Sequence, residues 1–248
     1  MLMIKRLIDF YNTSAGDIAE SDMTCIWEGI TRIYHKRLKD AIKSGSEARV
    51  KVILENFIAD EGAHGMDHGG MVTPVGDVIC TRFGSAPKHV LEIGGGLGFL
   101  GSSMLRLGSK SYTDIDLPTS AIAAAFHVSK TINPEKIWLC GEHESGNKYA
   151  HFHPSTNCFG VLNRKYDVIV TINCFPEIPI RAQDAYIQIA SKCLSPDGIL
   201  YSINHEGTVL QQRSLSIAMK DQKQFVCVRS NPAPIYSGYM EEIYKLAN

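Results

Sequence analysis

Hydrophobic positions in the first seventy residues recur at helical spacing. Ile26, Trp27, Ile30, Ile33, Tyr34 and Leu38 follow one another at three- and four-residue steps, with Ser21 or Asp22 as a cap and Ser44-Gly45-Ser46 as a stop. Val50, Ile53, Leu54, Phe57 and Ile58 form a second stripe. The next stretch, Gly62 to Gly70, is crowded with glycine and histidine and is predicted as a loop. After Pro87 short apolar runs alternate with helical patterns. Strands are predicted over 88–93, 112–117, 136–140, 166–172 and 199–204, and helices over 99–107, 120–131 (capped by Thr119), 181–194 and 208–219. Residues 142–164 are polar and irregular and read as an insertion. The segments 224–229 and 239–246 lack a helix between them, which predicts an antiparallel edge pair. Strands separated by helices give parallel, right-handed βαβ units. The expected architecture is a helical extension or lid over residues 1–74, followed by a doubly wound α/β domain over 75–248.

Composition narrows the function. The chain has 248 residues, 44% of them hydrophobic, which suffices for a full core and excludes a disordered or fibrous class. Net charge is -1, and neither half is basic, so bulk binding of nucleic acid phosphates is not expected. The helical lysines and arginines at 36, 37, 39 and 43 read as a solvated face. Seven cysteines without a CxxC pair suit reduced thiols. No stretch approaches the roughly 18 apolar residues of a membrane span, and the start has no secretory h-region. The expectation is a soluble cytoplasmic protein that acts on a small molecule, with no nucleic acid or membrane partner.

The sharpest chemical signal is Glu92-Ile93-Gly94-Gly95-Gly96-Leu97-Gly98-Phe99-Leu100-Gly101, directly after a strand and opening a helix. Glycines there let the backbone turn tightly and approach a ligand at the sheet's carboxyl edge. Asp116, 22 residues after Gly94, ends the second strand and can accept both hydroxyls of a ribose. That order of elements predicts an adenosine-containing ligand. Gly96 to Gly101 fits GxGxxG, the pattern of an NAD-dependent oxidoreductase. Glu92 to Gly98 fits ExGxGxG, the first motif of class I S-adenosylmethionine-dependent methyltransferases. Glu92 favours the second reading, since a dinucleotide fold usually has an apolar residue there. So does the length after the loop, about 150 residues, which leaves little room for a dehydrogenase's substrate domain.

EIGGGLGFLG, YTDIDLP and TINCFPEIP together resemble the bacterial sugar O-methyltransferases of the class I superfamily, as does the polar helix start before Trp27. The resemblance implies a Rossmann-like, seven-stranded, mostly parallel sheet with an antiparallel last strand. It also implies transfer of a methyl from S-adenosylmethionine to a hydroxyl of a small metabolite such as a sugar. Carried over by position, Glu92, Gly94, Gly96 and Gly98 match the cofactor loop and Asp116 the ribose acid. Leu117 would lie against the adenine, and Gly141 and Glu142, after the third strand, would meet its exocyclic amine. Asn173 and Cys174 would line the methionine end.

A hydroxyl acceptor calls for a base. In the implied sheet order, strands four and five are neighbours, which brings Asn173 and Glu177 near Asn204, His205 and Glu206. His205 is the expected base, because an imidazole titrates near neutrality, and Glu177 would orient it or hold the acceptor. His143, His151, His153 and Cys158 have no familiar ligand spacing and read as a solvated loop, with no metal. The stretch His64–Pro74 fits a lid or a plain linker. A catalytically silent methyltransferase-like interaction module is the non-enzymatic alternative.

Overall fold

The computed structural model describes residues 2–14, 30–63, 68–143, 147–205, 213–235 and 237–247. In chain order the elements are α1 (Leu2–Ser14), α2 (Ile30–Lys43), α3 (Glu47–Ala63), α4 (His68–Phe83), β1 (His89–Ile93), α5 (Phe99–Arg106), β2 (Ser111–Asp116), α6 (Pro118–Val128), β3 (Ile137–Leu139), β4 (Ala150–Pro154), β5 (Tyr166–Ile172), α7 (Ile180–Cys193), β6 (Leu194–His205), α8 (Leu215–Met219), β7 (Phe225–Pro232) and β8 (Tyr239–Leu246). The strands form one sheet in the order β3-β4-β2-β1-β5-β6-β8-β7. The first six run parallel to one another, and β8 runs antiparallel to both β6 and β7.

The sheet has eight strands rather than the seven expected. The additional strand is β4, inside the segment read as an insertion. It pairs with β2 and displaces β3, the expected third strand, to the edge. All five residues of β4 are buried, so His151 and His153 stand where an apolar side chain would normally announce a strand covered on both faces. The polar lettering hid it.

A second correction concerns the glycine-rich stretch, predicted as a loop. Residues 68–83 form α4, and the boundary drawn at 74/75 falls inside that helix. Gly69 and Gly70 lie in its first turn, where backbone N–H groups have no helical partner in any case. Farther on, Gly76 lets the helix approach α5: a Cβ there would meet the Ser103 hydroxyl at 2.8 Å. Val75 and Ile79 are fully buried, and that burial outweighs weak helix propensity. His64 and Asp67 lie outside the described residues, as do Ser21, Asp22, Ile26, Trp27 and Glu206.

Two apolar layers cover the sheet. On one face α6 lies nearly wholly buried, with Ala121 and Ala123–Ala125 at its centre, beneath Ile4, Leu7 and Phe10 of α1, Leu38 of α2 and Leu54 of α3. A helix apolar all round is what a third layer above it requires. On the other face α7 and α8 bring Ile187, Ala190, Leu215 and Met219 against Leu91, Ile169 and Leu200. Glu241 of β8 ties α4 to the sheet. It is fully buried and accepts from Arg82 at 2.9 and 3.1 Å, Arg229 at 2.5 Å and the Tyr201 hydroxyl at 3.0 Å. Burial alone would raise its carboxyl, but those donors hold it below the ordinary value. Among the described residues no helix is long and apolar enough to cross a membrane.

Candidate active site

The loop after β1 sits at the carboxyl edge of the sheet. Gly94 takes φ +79°, and a Cβ on it would fall 2.0 Å from Cys174 Sγ, so the first glycine is required by the turn after β5. Gly96 takes φ +56° with nothing within 4 Å of its missing Cβ. The crest of the loop is therefore left-handed and open, a cradle that a branched side chain would fill. Asp116, at the end of β2, accepts the Gly96 N–H at 2.7 Å and the Leu117 N–H at 2.6 Å. Burial pushes its carboxyl up to about 7 against the pull of those two N–H groups. Glu92 lies beneath the loop, takes the Tyr112 O–H at 2.5 Å, and is likewise raised by burial to about 7.

Half-buried Leu117 leads from Asp116 into α6, which starts at Pro118 rather than behind a Thr119 cap. The Thr119 hydroxyl instead bonds His35 Nδ1, joining α2 to the start of α6.

The turn after β5 is held from three sides. Asn173 is the non-glycine residue with positive φ, +46°, among the described residues, and its N–H bonds Ile203 O at 2.8 Å. Asn204 Oδ1 accepts the N–H groups of Cys174 at 2.9 Å and Phe175 at 3.2 Å. The Tyr239 hydroxyl donates to Asn173 Oδ1 at 3.0 Å. Tyr239 has no local sequence signal that marks it as part of this edge. It opens β8 directly opposite His205, and only the antiparallel course of that strand brings it to this edge. The His205 ring meets Tyr239 edge-on with centroids 5.9 Å apart.

Glu177 is half-buried in the turn Phe175–Glu177, and burial, with Asp116 nearby, pushes its carboxyl up to about 7. Gln183 of α7 fixes that turn by donating to Phe175 O at 2.8 Å and Arg213 O at 2.9 Å. Glu177 and His205 thus share the same edge. Among the described residues no hydrogen bond joins them, so the expected orienting contact is not made.

Gly141 and Glu142 stand one strand farther out in the sheet than the residues that follow β4. They follow the edge strand β3, while the strand beside β2 is β4. Both Glu142 oxygens are taken by Arg6, at 2.6 and 2.7 Å, and Lys148 adds a contact at 3.2 Å. Burial would raise that carboxyl, but Arg6, the Leu139 N–H and Lys148 hold it below the ordinary range. The turn Ser155–Asn157 follows β4 instead, and its Thr156 hydroxyl donates to Ser14 O of α1 at 2.9 Å. His151 and His153 are buried rather than solvated, beside the Trp138 ring, and burial lowers both to about 4. Buried Cys158 follows in the same segment, while His143 is exposed. Among the described residues no group of three His, Cys, Asp or Glu side chains could hold a metal.

A family model described as "Methyltransferase domain" matches residues 76–231, from within α4 to within β7. The chain belongs to this methyltransferase family. Membership decides between the two readings of the glycine loop in favour of ExGxGxG over the dehydrogenase pattern. Solved structures resemble this methyltransferase in fold. An O-methyltransferase family protein from Burkholderia thailandensis is 14% identical, with 84% of this chain and 62% of that chain covered at a TM-score of 0.54. The N-methyltransferase NodS from Bradyrhizobium japonicum, determined with S-adenosyl-L-homocysteine, is 15% identical over 79% of this chain and 97% of its own, at 0.53. A ribosomal protein L11 methylase from Lactobacillus delbrueckii subsp. bulgaricus is 18% identical over 74% and 81%, at 0.50. No curated protein matches the sequence of this methyltransferase.

The loop geometry carries a first prediction. Gly96→Val should abolish cofactor binding while the melting temperature falls modestly, because a Cβ there has no protein atom within 4 Å and the cost is mainly left-handed strain, on the order of 1–2 kcal/mol. Titration calorimetry and thermal melting check this. Equal loss of both would make the loop a packing element.

Proposed function

We propose that this methyltransferase moves the methyl of S-adenosylmethionine to a hydroxyl of a small metabolite, with a sugar as the class the motif resemblance suggests. The observation that carries the reading is the open crest at Gly96 with Asp116 hydrogen-bonded beside it. Each carboxylate oxygen of Asp116 spends one lone pair on a backbone N–H and keeps another for a ribose hydroxyl. Leu117 then lies against the base, and Glu92, Gly94 and Gly98 shape the loop around the ligand. Asn173 and Cys174 line the methionine end, held there by Asn204 and Tyr239. When bound, the cofactor supplies a methyl group on a cationic sulfur.

The protein's part is alignment, exclusion of water and removal of one proton. A neutral hydroxyl is a poor nucleophile, and a positioned base contributes about 10²–10⁴-fold. Glu177 is the base in this reading: its carboxyl near 7 matches the task, and the turn that carries it is pinned by Gln183. His205 and the Tyr239 ring form the neighbouring wall on which the acceptor rests.

The test is methyl transfer from methyl-labelled S-adenosylmethionine to a panel of sugars, other alcohols, phenols and amines, read by mass spectrometry. Labelled methyl on oxygen of a sugar or related alcohol is the expected result. Transfer confined to amines overturns the hydroxyl assignment, and cofactor binding without turnover on any acceptor supports the silent module instead.

A further inference from the structure

Three carboxyls share one face of the sheet beneath the glycine loop. Glu92 of β1 stands directly opposite Asp114 of β2, and Asp116 follows two residues later on the same face. Their exposures are 3%, 0% and 8%. The flanking positions on the same face are Val170 of β5 and Phe152 of β4, so the surroundings are apolar. Asp114 presses against the loop from below: Oδ1 accepts the Gly95 N–H at 3.2 Å, and a Cβ on Gly95 would meet that oxygen at 2.4 Å. Its Oδ2 is buried with no hydrogen-bond partner among the described residues.

Among the described residues no cation balances this group. None of the three carboxyls pairs with a lysine, arginine or histidine among the described residues. The other titratable groups facing them are Tyr112 on β2, Cys174 and Glu177 after β5, and Tyr186 on α7, all neutral or acidic. Glu92 and Asp114, about 5 Å apart across neighbouring strands, and Asp116 two residues on, all largely removed from water, cannot all ionise. Burial and mutual repulsion accordingly raise Asp114 well above the ordinary carboxylate range. The retained proton belongs to the coupled set.

We infer that Glu92, Asp114 and Asp116 read the charge of the bound cofactor, with Asp114 as the specificity-determining member. The set gives up a proton when cationic S-adenosylmethionine seats, and keeps it when S-adenosylhomocysteine, whose sulfur is neutral, takes its place. This rests on the cofactor proposed above. Its consequence is a pH-dependent exchange of product for fresh cofactor. Raising the pH through neutrality favours the cationic ligand over the neutral one by up to about tenfold per pH unit.

The test is titration calorimetry of the whole protein with each ligand, in buffers of different ionisation enthalpy at pH 7, which counts the protons released. About one more proton should leave with S-adenosylmethionine than with S-adenosylhomocysteine. Asp114→Asn, which keeps the oxygen facing Gly95, should cut that difference by at least half. Aspartate-selective ¹³C carboxyl NMR of the wild-type protein gives a second readout without a variant. One aspartate should be protonated at pH 7 with no ligand and with S-adenosylhomocysteine, and ionised with S-adenosylmethionine. Equal proton counts for the two ligands overturn the inference while leaving the cofactor assignment intact. So does a difference that survives Asp114→Asn but vanishes in Glu177→Gln. Failure of both ligands to bind overturns the cofactor assignment and this inference with it.

Discussion

Replacing Asp116 with alanine should weaken binding of S-adenosylmethionine by about a hundredfold or more. Two ribose hydroxyls donating to a buried carboxylate make charge-assisted hydrogen bonds of roughly 1.5–3 kcal/mol each. Losing both outweighs any relief of repulsion within the acidic set. The same substitution removes the acceptor for the Gly96 and Leu117 N–H groups, so part of the loss comes from a loosened loop crest. Asp116→Asn separates the two contributions. It keeps one oxygen for a backbone donor and gives up the charge, and it should fall between wild type and alanine. Calorimetric dissociation constants beside melting curves make the measurement. An alanine variant that binds within threefold of wild type would remove Asp116 from the cofactor site. Asp114 cannot stand in for it, because it is fully buried and lies below Gly95 rather than beside the open crest.

What the sequence made legible is what depends on local spacing. The run from β1 through the glycine loop and α5 to β2 carries its own punctuation, a short apolar strand, glycines, a helical stripe and an acid at the next strand's end. The antiparallel pair β7 and β8 was legible for the same reason, because a missing helix leaves few other ways to connect two strands. The failures share one cause, burial supplied by distant parts of the chain. His151 and His153 look solvent-facing by type, yet β2, Trp138 and the turns after β4 enclose them. Gly69, Gly70 and Gly76 look like breakers, yet α5 and the sheet hold α4 in place.

One misplaced strand then propagated into the site. Without β4, the strand beside β2 is taken to be β3 and Gly141 and Glu142 are assigned to the adenine, whereas the turn that follows the strand beside β2 is Ser155–Asn157. Arg6 had no sequence signal tying it to Glu142, 136 residues away. Tyr239 lies 66 residues from the Asn173 side chain it holds, and pairing at that distance leaves no local trace.

Glu177→Gln should lower kcat by about 10²-fold or more, the share that a general base supplies to a hydroxyl nucleophile. The amide keeps the size and one acceptor oxygen of the carboxylate, so the turn fixed by Gln183 and Asn204 should survive. Cofactor affinity should change far less than kcat. The pH profile carries the sharper signature. Burial and the Asp116 charge raise the Glu177 carboxyl to about 7, so the residue is a competent base only above that pH in the cofactor-free protein. A cationic cofactor favours the ionised carboxylate, which moves the rising limb of kcat downward from the rising limb of kcat/KM. The limb in kcat should disappear in the glutamine variant. His205→Ala is the comparison: it removes a half-buried ring from the acceptor wall and should raise KM more than it lowers kcat. If His205→Ala costs two orders of magnitude in kcat and Glu177→Gln keeps more than a third of it, the base is His205. Glu177 is then left as a charge that helps seat the acceptor.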